Sequence, residues 1–331
     1  MRILKLEGNS VVKIIEQPEP VPGPGEVVIT TAVSALCGSE FHGYRGAGSA
    51  TGNGGHEAAG TVSALGAGVT TLTIGQRVGL SAVVGCGHCG YCAKGQYTWC
   101  PDRRFYGNMH AEQILIAAHG CHPLPDDVPW DAGVLLAGDG LGVPYHTSRK
   151  LADPAINTIA IFGVGPIGLG HTLLQSHLGR QVIAVDVSPF RLEQAKQLGA
   201  THLINGRDGD AVAQIQALTG GLGADVCLEA AGRPETLKSC FAAVRTGGLV
   251  VMNGEQGNLE LSPSQDFIRR DVTAVGSWFY HFAEFPQMLA LYRQGLAVTN
   301  LITDHYPLGE AATAFQEFAA GRTGKVIFTM Q

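Results

Sequence analysis

The run Thr158-Ile159-Ala160-Ile161-Phe162-Gly163-Val164-Gly165-Pro166-Ile167-Gly168 decides how this chain folds. Its first five residues read as an apolar strand. A helix-like stretch, Leu169–Leu178, follows the glycines, then a second strand, Gln181–Val185, that ends at Asp186. Strand, glycine turn, helix, strand and acid in this order form the dinucleotide-binding fingerprint. Gly163 permits the tight turn, Gly165 lets the backbone approach a pyrophosphate, and Gly168 lets helix and strand pack closely. Pro166 and Ile167, within the glycine turn, are expected to bind the cofactor, and the helix N-terminus that follows meets the phosphate charge. Asp186, 18 residues after Gly168, can accept from the adenosine ribose hydroxyls and would repel a 2′-phosphate. NAD is therefore expected over NADP.

Downstream the alternation continues. Ser188 reads as an N-cap, Pro189 as the first helical residue, and Gly199 as the stop. Arg191 in the first turn can reach the same ribose or stand solvated. Segments at His202–Ile204, Ala211–Leu218, Asp225–Glu229, Thr236–Val244, Leu249–Asn253 and Val272–Gly276 extend the pattern to six parallel strands, a doubly wound sheet. After Trp278-Phe279-Tyr280 come a helix near 282–294, a strand at Leu301–Tyr306, a helix at Glu310–Ala320 and a last strand, Lys325–Thr329. These final segments are expected to rejoin the first domain, giving residues 1–138 with 279–331 as one domain and 139–278 as the other.

Upstream, up to about residue 125, the text is strand-like: Val11–Ile15, Glu26–Ala35, Ala58–Leu65, Arg77–Leu80 and Gln113–Ala117. These runs are short, rich in Val, Ile and Thr, and divided by Pro/Gly turns. They predict a β-rich, barrel-type domain. Cys37-Gly38-Ser39-Glu40-Phe41-His42 follows one strand and offers a thiolate, a hydroxyl and an imidazole, the groups a metal ligand and a two-step proton path need. Gly55-His56-Glu57 puts an imidazole beside a carboxylate at the start of another. Thiolate, imidazole and carboxylate make a three-ligand zinc site with an open fourth position. The spacing Cys86-x2-Cys89-x2-Cys92-x7-Cys100 supplies four thiolates for a closed tetrahedral cage, hence a structural zinc. Two disulfides or an iron–sulfur cluster are the competing readings.

Composition narrows the partners. A chain of 331 residues exceeds the size of one core and implies two domains. A net charge of −6 with no basic cluster argues against nucleic acid or an anionic membrane. No stretch reaches the length of a membrane span and Met1 to Gln17 has no apolar signal core, so a soluble, cytoplasmic protein is expected. Clustered cysteines in a reducing compartment fit metal better than disulfides.

In this order, the parts resemble the zinc-dependent medium-chain dehydrogenase/reductase family, of the alcohol, sorbitol and threonine dehydrogenase kind. The resemblance spans essentially the whole chain. It implies an α/β protein with a GroES-like β-rich catalytic domain and a Rossmann domain. Cys37 and His56 look like catalytic-zinc ligands, with Glu57 a ligand or near neighbour. Asp139 falls where alcohol dehydrogenases have a second Cys ligand. Ser39 and His42 match the family's proton relay. Ala230, Gly232 and Asn253-Gly254 are expected to face the cofactor, and Ser277 to Phe279 the nicotinamide. Three departures stand out. Gly38 and Phe328 occupy positions where a basic residue is frequent, and Asp139 leaves the third ligand open between itself and Glu57. The activity implied is hydride transfer between NAD and a secondary alcohol, polyol or amino alcohol. An aldehyde or primary-alcohol reductase, or a non-catalytic NAD-binding scaffold, is the alternative. Arg45, Arg104, His110, Glu255 and Trp278 are candidates to line a polar cleft. A homo-oligomer, dimer or tetramer, is implied through Rossmann-sheet edges near Val272–Gly276.

Overall fold

The computed structural model describes residues 1–50 and 52–330. It contains two compact units: Met1–Gly142 with Phe279–Gln331, and Val143–Trp278. The first unit thus runs four residues past the expected boundary at 138. The reason is local: a Cβ on Gly142 would lie 2.3 Å from the Tyr280 ring, so the start of helix Asp139–Ser148 is packed into the first unit.

The first unit is organised on the eleven-residue strand Glu26–Leu36. Its Val/Ile/Thr-rich text suits a pleated surface buried on both sides, and most of it is buried. The sheet order is Ile302–Pro307, Lys325–Thr329, Glu26–Leu36, Ala58–Leu65, Arg77–Leu80, Cys121–Pro123, with Gln113–Ala117 also pairing the long strand. The long strand divides its second edge. Glu26 to Thr30 pair with Gln113–Ala117, and Val33 to Leu36 pair antiparallel with Lys325–Thr329. The C-terminal strand thus returns to this unit, running beside the residues that lead into Cys37. A second core of Leu4, Leu6, Tyr44, Phe315, Phe318 and Phe328 covers this end. Phe328, fully buried with its ring edge-on to His110 at 4.9 Å, is a core residue where a basic side chain is frequent.

Among the elements of this unit that are not marked in the sequence are strand Arg2–Gly8, helix Trp130–Ala137 and the start of helix Asp139–Ser148. Gly133, Gly140, Gly142 and Pro144 depress helix propensity there. Packing overrides that preference, because a Cβ on Gly133 would lie 2.6 Å from Leu124 and one on Gly140 2.7 Å from Leu135.

The second unit is a six-stranded, all-parallel sheet in the order His202–Asn205, Gln181–Asp186, Thr158–Phe162, Ala224–Glu229, Val244–Met252, Thr273–Gly276. In sequence terms this is 3-2-1-4-5-6, the doubly wound order whose direction reverses beside the first strand. Its central strands are buried on both faces, as continuous apolar runs require. Helix Pro166–His177 begins three residues before the expected Leu169, with Pro166 at its first position. Helix Pro189–Gln197 has the expected Ser188 cap, whose hydroxyl accepts from the Arg191 amide at 3.3 Å. Strand Thr273–Gly276 is the terminal strand of the sheet. Among the described residues no helix is long and apolar enough to cross a membrane.

Candidate active site

Strand register assembles the first constellation. Cys37 ends the long strand, and His56-Glu57 open its neighbour, Ala58–Leu65. The Ala35 amide donates to the Glu57 carbonyl at 2.9 Å, which places the two segments side by side. Asp139 arrives from elsewhere, as the first residue of its helix. The ligating atoms of Cys37, His56, Glu57 and Asp139 all lie within 4.8 Å of one another, and all four residues are buried.

The spacing suits a tetrahedral cation. Ligands at about 2.0 Å (carboxylate) and 2.1 Å (imidazole) from zinc stand about 3.3 Å apart, and a thiolate and a carboxylate about 3.5 Å. His56 Nε2 is 3.0 Å from Asp139 Oδ2, and Cys37 Sγ is 4.0 Å from the same oxygen. His56 Nδ1 is 2.9 Å from the Gly54 carbonyl, which can only accept. Nδ1 therefore carries hydrogen, and Nε2 is the nitrogen available to a metal. Burial disfavours the imidazolium of His56, yet hydrogen bonds and charge from Asp139 and Cys37 outweigh it and hold its pKa well above the ordinary value. The pocket is short of positive charge.

Glu57 is held differently from Asp139. Its Oε1 is paired with the ammonium of Lys325, fully buried, and its Oε2 accepts from the Gly140 amide at 3.2 Å. Lys325 had no signal in the sequence beyond its place in the last strand. Glu40, also unmarked, is buried and grips the Cys37 turn. Oε1 accepts from the Cys37 amide at 2.8 Å and Oε2 faces His110 Nε2 at 2.8 Å, while His110 Nδ1 meets Ser34 Oγ at 2.8 Å. Burial raises the Glu40 pKa, but His110, His56 and the Cys37 amide outweigh it and lower it overall.

His110 is thus no cleft residue. It is fully buried, because its ring is the middle of this Glu40–His110–Ser34 chain. Arg45 and Arg104 are exposed and lie over the rings of Phe41 and Tyr106. Ser39 and His42 are exposed on successive turns after Cys37. Phe279 belongs to this unit, with φ at +51°, a conformation rare for an aromatic residue. Its ring and that of Phe105 stand 5.8 and 5.7 Å from His56.

The second constellation, also in this unit, is the four-cysteine loop. All eight cysteines are free. Four sulfurs at about 2.3 Å from one zinc would stand about 3.8 Å apart. Cys86–Cys92 and Cys89–Cys92 Sγ distances are 3.9 and 3.5 Å, and all four sulfurs lie within 4.8 Å of one another. The Cys92 amide pulls the Cys89 thiol down to about 7, whereas burial pushes Cys92 up to about 12. His88 is exposed, with Nδ1 3.0 Å from the Cys86 carbonyl.

In the second unit the glycine turn has the features its sequence requires. Gly163 has φ at +88°, and a Cβ on Gly168 would lie 2.0 Å from the Gly163 carbonyl oxygen. Gly165 faces the Arg191 guanidinium, 3.7 Å from where its Cβ would stand, so Arg191 turns inward to the glycine turn. Asp186 Oδ2 accepts from the Val164 amide at 2.8 Å, and Oδ1 from Val187 and Ser188 at 2.7 and 2.9 Å. The acid is oriented by the same turn it is meant to complement. The Ala230 amide donates to the Phe162 carbonyl at 2.8 Å. Asn253 donates to Thr147 Oγ1 and to the Ser277 carbonyl, each at 3.0 Å. Trp278 Nε1 donates to Glu255 Oε1 at 3.0 Å. Glu229, missed in the sequence, is a buried acid at the end of an apolar strand. Its carboxylate accepts from the amides of Ala231 and Gly232 at 2.9 Å, fixing the turn that holds Ala230 and Gly232.

Comparison with known proteins identifies the family. Residues 23–126 match the family model for the alcohol dehydrogenase GroES-like domain, and residues 166–294 that for zinc-binding dehydrogenase. The chain belongs to the zinc-dependent medium-chain dehydrogenase family. Within that family it is 30% identical to the sorbitol dehydrogenase of Bacillus subtilis, over 96% of this chain and 93% of that enzyme. It is 30% identical to the L-threonine 3-dehydrogenase of Symbiobacterium thermophilum, over 99% and 97%. Among solved structures, the alcohol dehydrogenase TADH from Thermus sp. ATN1 superposes with a TM-score of 0.91 at 26% identity, covering all of both chains.

Proposed function

We propose that this protein is a zinc-dependent oxidoreductase that moves a hydride between NAD and a secondary alcohol, polyol or amino alcohol. The observation that carries the reading is the convergence of Cys37, His56 and Asp139 at ligand spacing in a buried pocket. Asp139 completes the protein ligands, because its Oδ2 lies toward both His56 and Cys37 while both oxygens of Glu57 already have partners. Zinc, when bound, polarises a substrate oxygen as a Lewis acid, and nicotinamide takes or gives the hydride. The chain's own residues do the rest. Ser39 accepts the hydroxyl proton of the substrate and His42 passes it to solvent, both standing on exposed turns next to Cys37. Asp186, oriented by three amides, accepts from the adenosine ribose and disfavours a 2′-phosphate. Arg191 adds positive charge beside Gly165, where the pyrophosphate would lie.

Cys86, Cys89, Cys92 and Cys100 hold a second, structural zinc, a role supported by their tetrahedral spacing. The sorbitol and threonine dehydrogenases among its relatives support a substrate with a secondary hydroxyl and a polar neighbour. The outer edge of strand Thr273–Gly276, terminal in its sheet among the described residues, suits pairing of two copies in an oligomer. The test is NADH formation over a panel of sorbitol, threonine, vicinal diols and primary alcohols, with NAD and NADP compared. Turnover of a secondary polyol or amino alcohol with NAD is expected. Activity confined to primary alcohols, or none with two zincs bound, would overturn the reading.

A further inference from the structure

Among the described residues Lys325 is the only buried lysine. Backbone register puts it there. Val326 pairs with Leu36, so Lys325 comes level with Cys37, and Ser34 pairs with Ala58, so Glu57 lies on the other side of the same strand. The Lys325 ammonium meets Glu57 Oε1, and the Gly140 amide donates to Oε2 at 3.2 Å. Glu57 is thereby anchored at both oxygens, whereas Asp139 points one oxygen at His56 and Cys37.

Charge balance gives this pairing a purpose. Cys37, Asp139 and Glu57 bring three negative charges into a buried pocket. A divalent cation offsets two of them, and the ammonium of Lys325 offsets the third. An uncompensated Glu57 would seek the nearest cation, which is the metal.

We propose that Lys325 is a positioning residue that holds the Glu57 carboxylate off the metal, so that Cys37, His56 and Asp139 are the protein ligands and the fourth direction stays open to substrate. Without Lys325, Glu57 swings onto the metal and closes that direction. The proposal rests on the catalytic-zinc reading above.

The experiment uses full-length protein with cobalt(II) in place of zinc, whose visible absorption reports coordination. Imidazole serves as the probe, because it needs an open position. Wild type should bind imidazole with a clear spectral change. Lys325→Met should weaken that binding by about tenfold or more, because Glu57 then competes with imidazole for the open position. Lys325→Arg should bind nearly as wild type, and the double variant Lys325→Met with Glu57→Gln should recover. Lys325→Met binding imidazole as wild type does, or a double variant that stays closed, would overturn the proposal. If Lys325→Met does not fold, the crystal structure of the zinc-loaded wild type decides. Glu57 on Lys325 supports the proposal, and Glu57 coordinated to zinc overturns it. Wild type that takes up cobalt only in the four-cysteine loop would instead refute the catalytic-metal reading.

Discussion

Acidification should destabilise the first unit through one histidine that has no part in the proposed chemistry. His122, in strand Cys121–Pro123, is 2% exposed and its ring stacks with Phe282 at 3.9 Å and Phe285 at 4.3 Å. Its Nε2 is 3.1 Å from the Tyr280 hydroxyl, whose single hydrogen goes to the Ala137 carbonyl. Nε2 is therefore the donor, and the ring is neutral. Burial pulls its pKa from 6.5 to about 3. The unfolded chain then takes up this proton first as pH falls. Stability is complete above about 6.5 and is lost toward about 3, by up to about 1.4 kcal/mol per pH unit. Between about pH 7.5 and 5.5 the loss comes to about 1.4 kcal/mol. His122→Phe keeps the stack and removes the proton site. Urea denaturation of zinc-loaded wild type and variant at both pH values should show the wild type losing about 1.4 kcal/mol more than the variant. Equal losses would refute the argument that this ring is buried neutral.

Other perturbations probe the remaining parts. Cys92→Ser opens the thiolate cage, so bound zinc should fall by one per chain by mass spectrometry and the melting temperature by about 5 °C or more. Unchanged metal content would exclude a zinc in that loop. Glu40→Gln weakens the clamp on the Cys37 turn and should cost about 2–3 kcal/mol in urea denaturation, as the bonds to His110 and the Cys37 amide lose the carboxylate charge. A cost near zero would show the clamp to be idle. Asp186→Ser removes like-charge repulsion of about 4 kcal/mol for charges about 4 Å apart near a surface, so the NADP/NAD ratio of kcat/KM should rise by tenfold or more. An unchanged ratio would sink the role given to Asp186.

What was legible in the sequence has a common character: it is written locally. The glycine turn, its flanking strands and Asp186 lie within one β–α–β segment, and the four cysteines within fifteen residues. The family order then brought Cys37, His56 and Asp139 together, and the structure places their ligating atoms in one pocket. Less legible were contacts that only the sheet creates. Lys325 and Glu57 are 268 residues apart, and Glu40 and His110 are 70 apart. Nothing in the chain text separates His110 from a surface histidine. Helices Trp130–Ala137 and Asp139–Ser148 were hidden because their glycines serve close packing, a tertiary need that local propensity opposes. Phe328, at a position where a basic residue is frequent, is a core ring packed on His110.

Metal content measured beside turnover tests the central claim most directly. Wild type should carry two zincs per chain. Cys37→Ala should keep one, remain folded, still bind NAD, and lose turnover on every alcohol the wild type oxidises. Cys37→Ala that retained two zincs and near-wild-type turnover would contradict a catalytic metal at Cys37, His56 and Asp139.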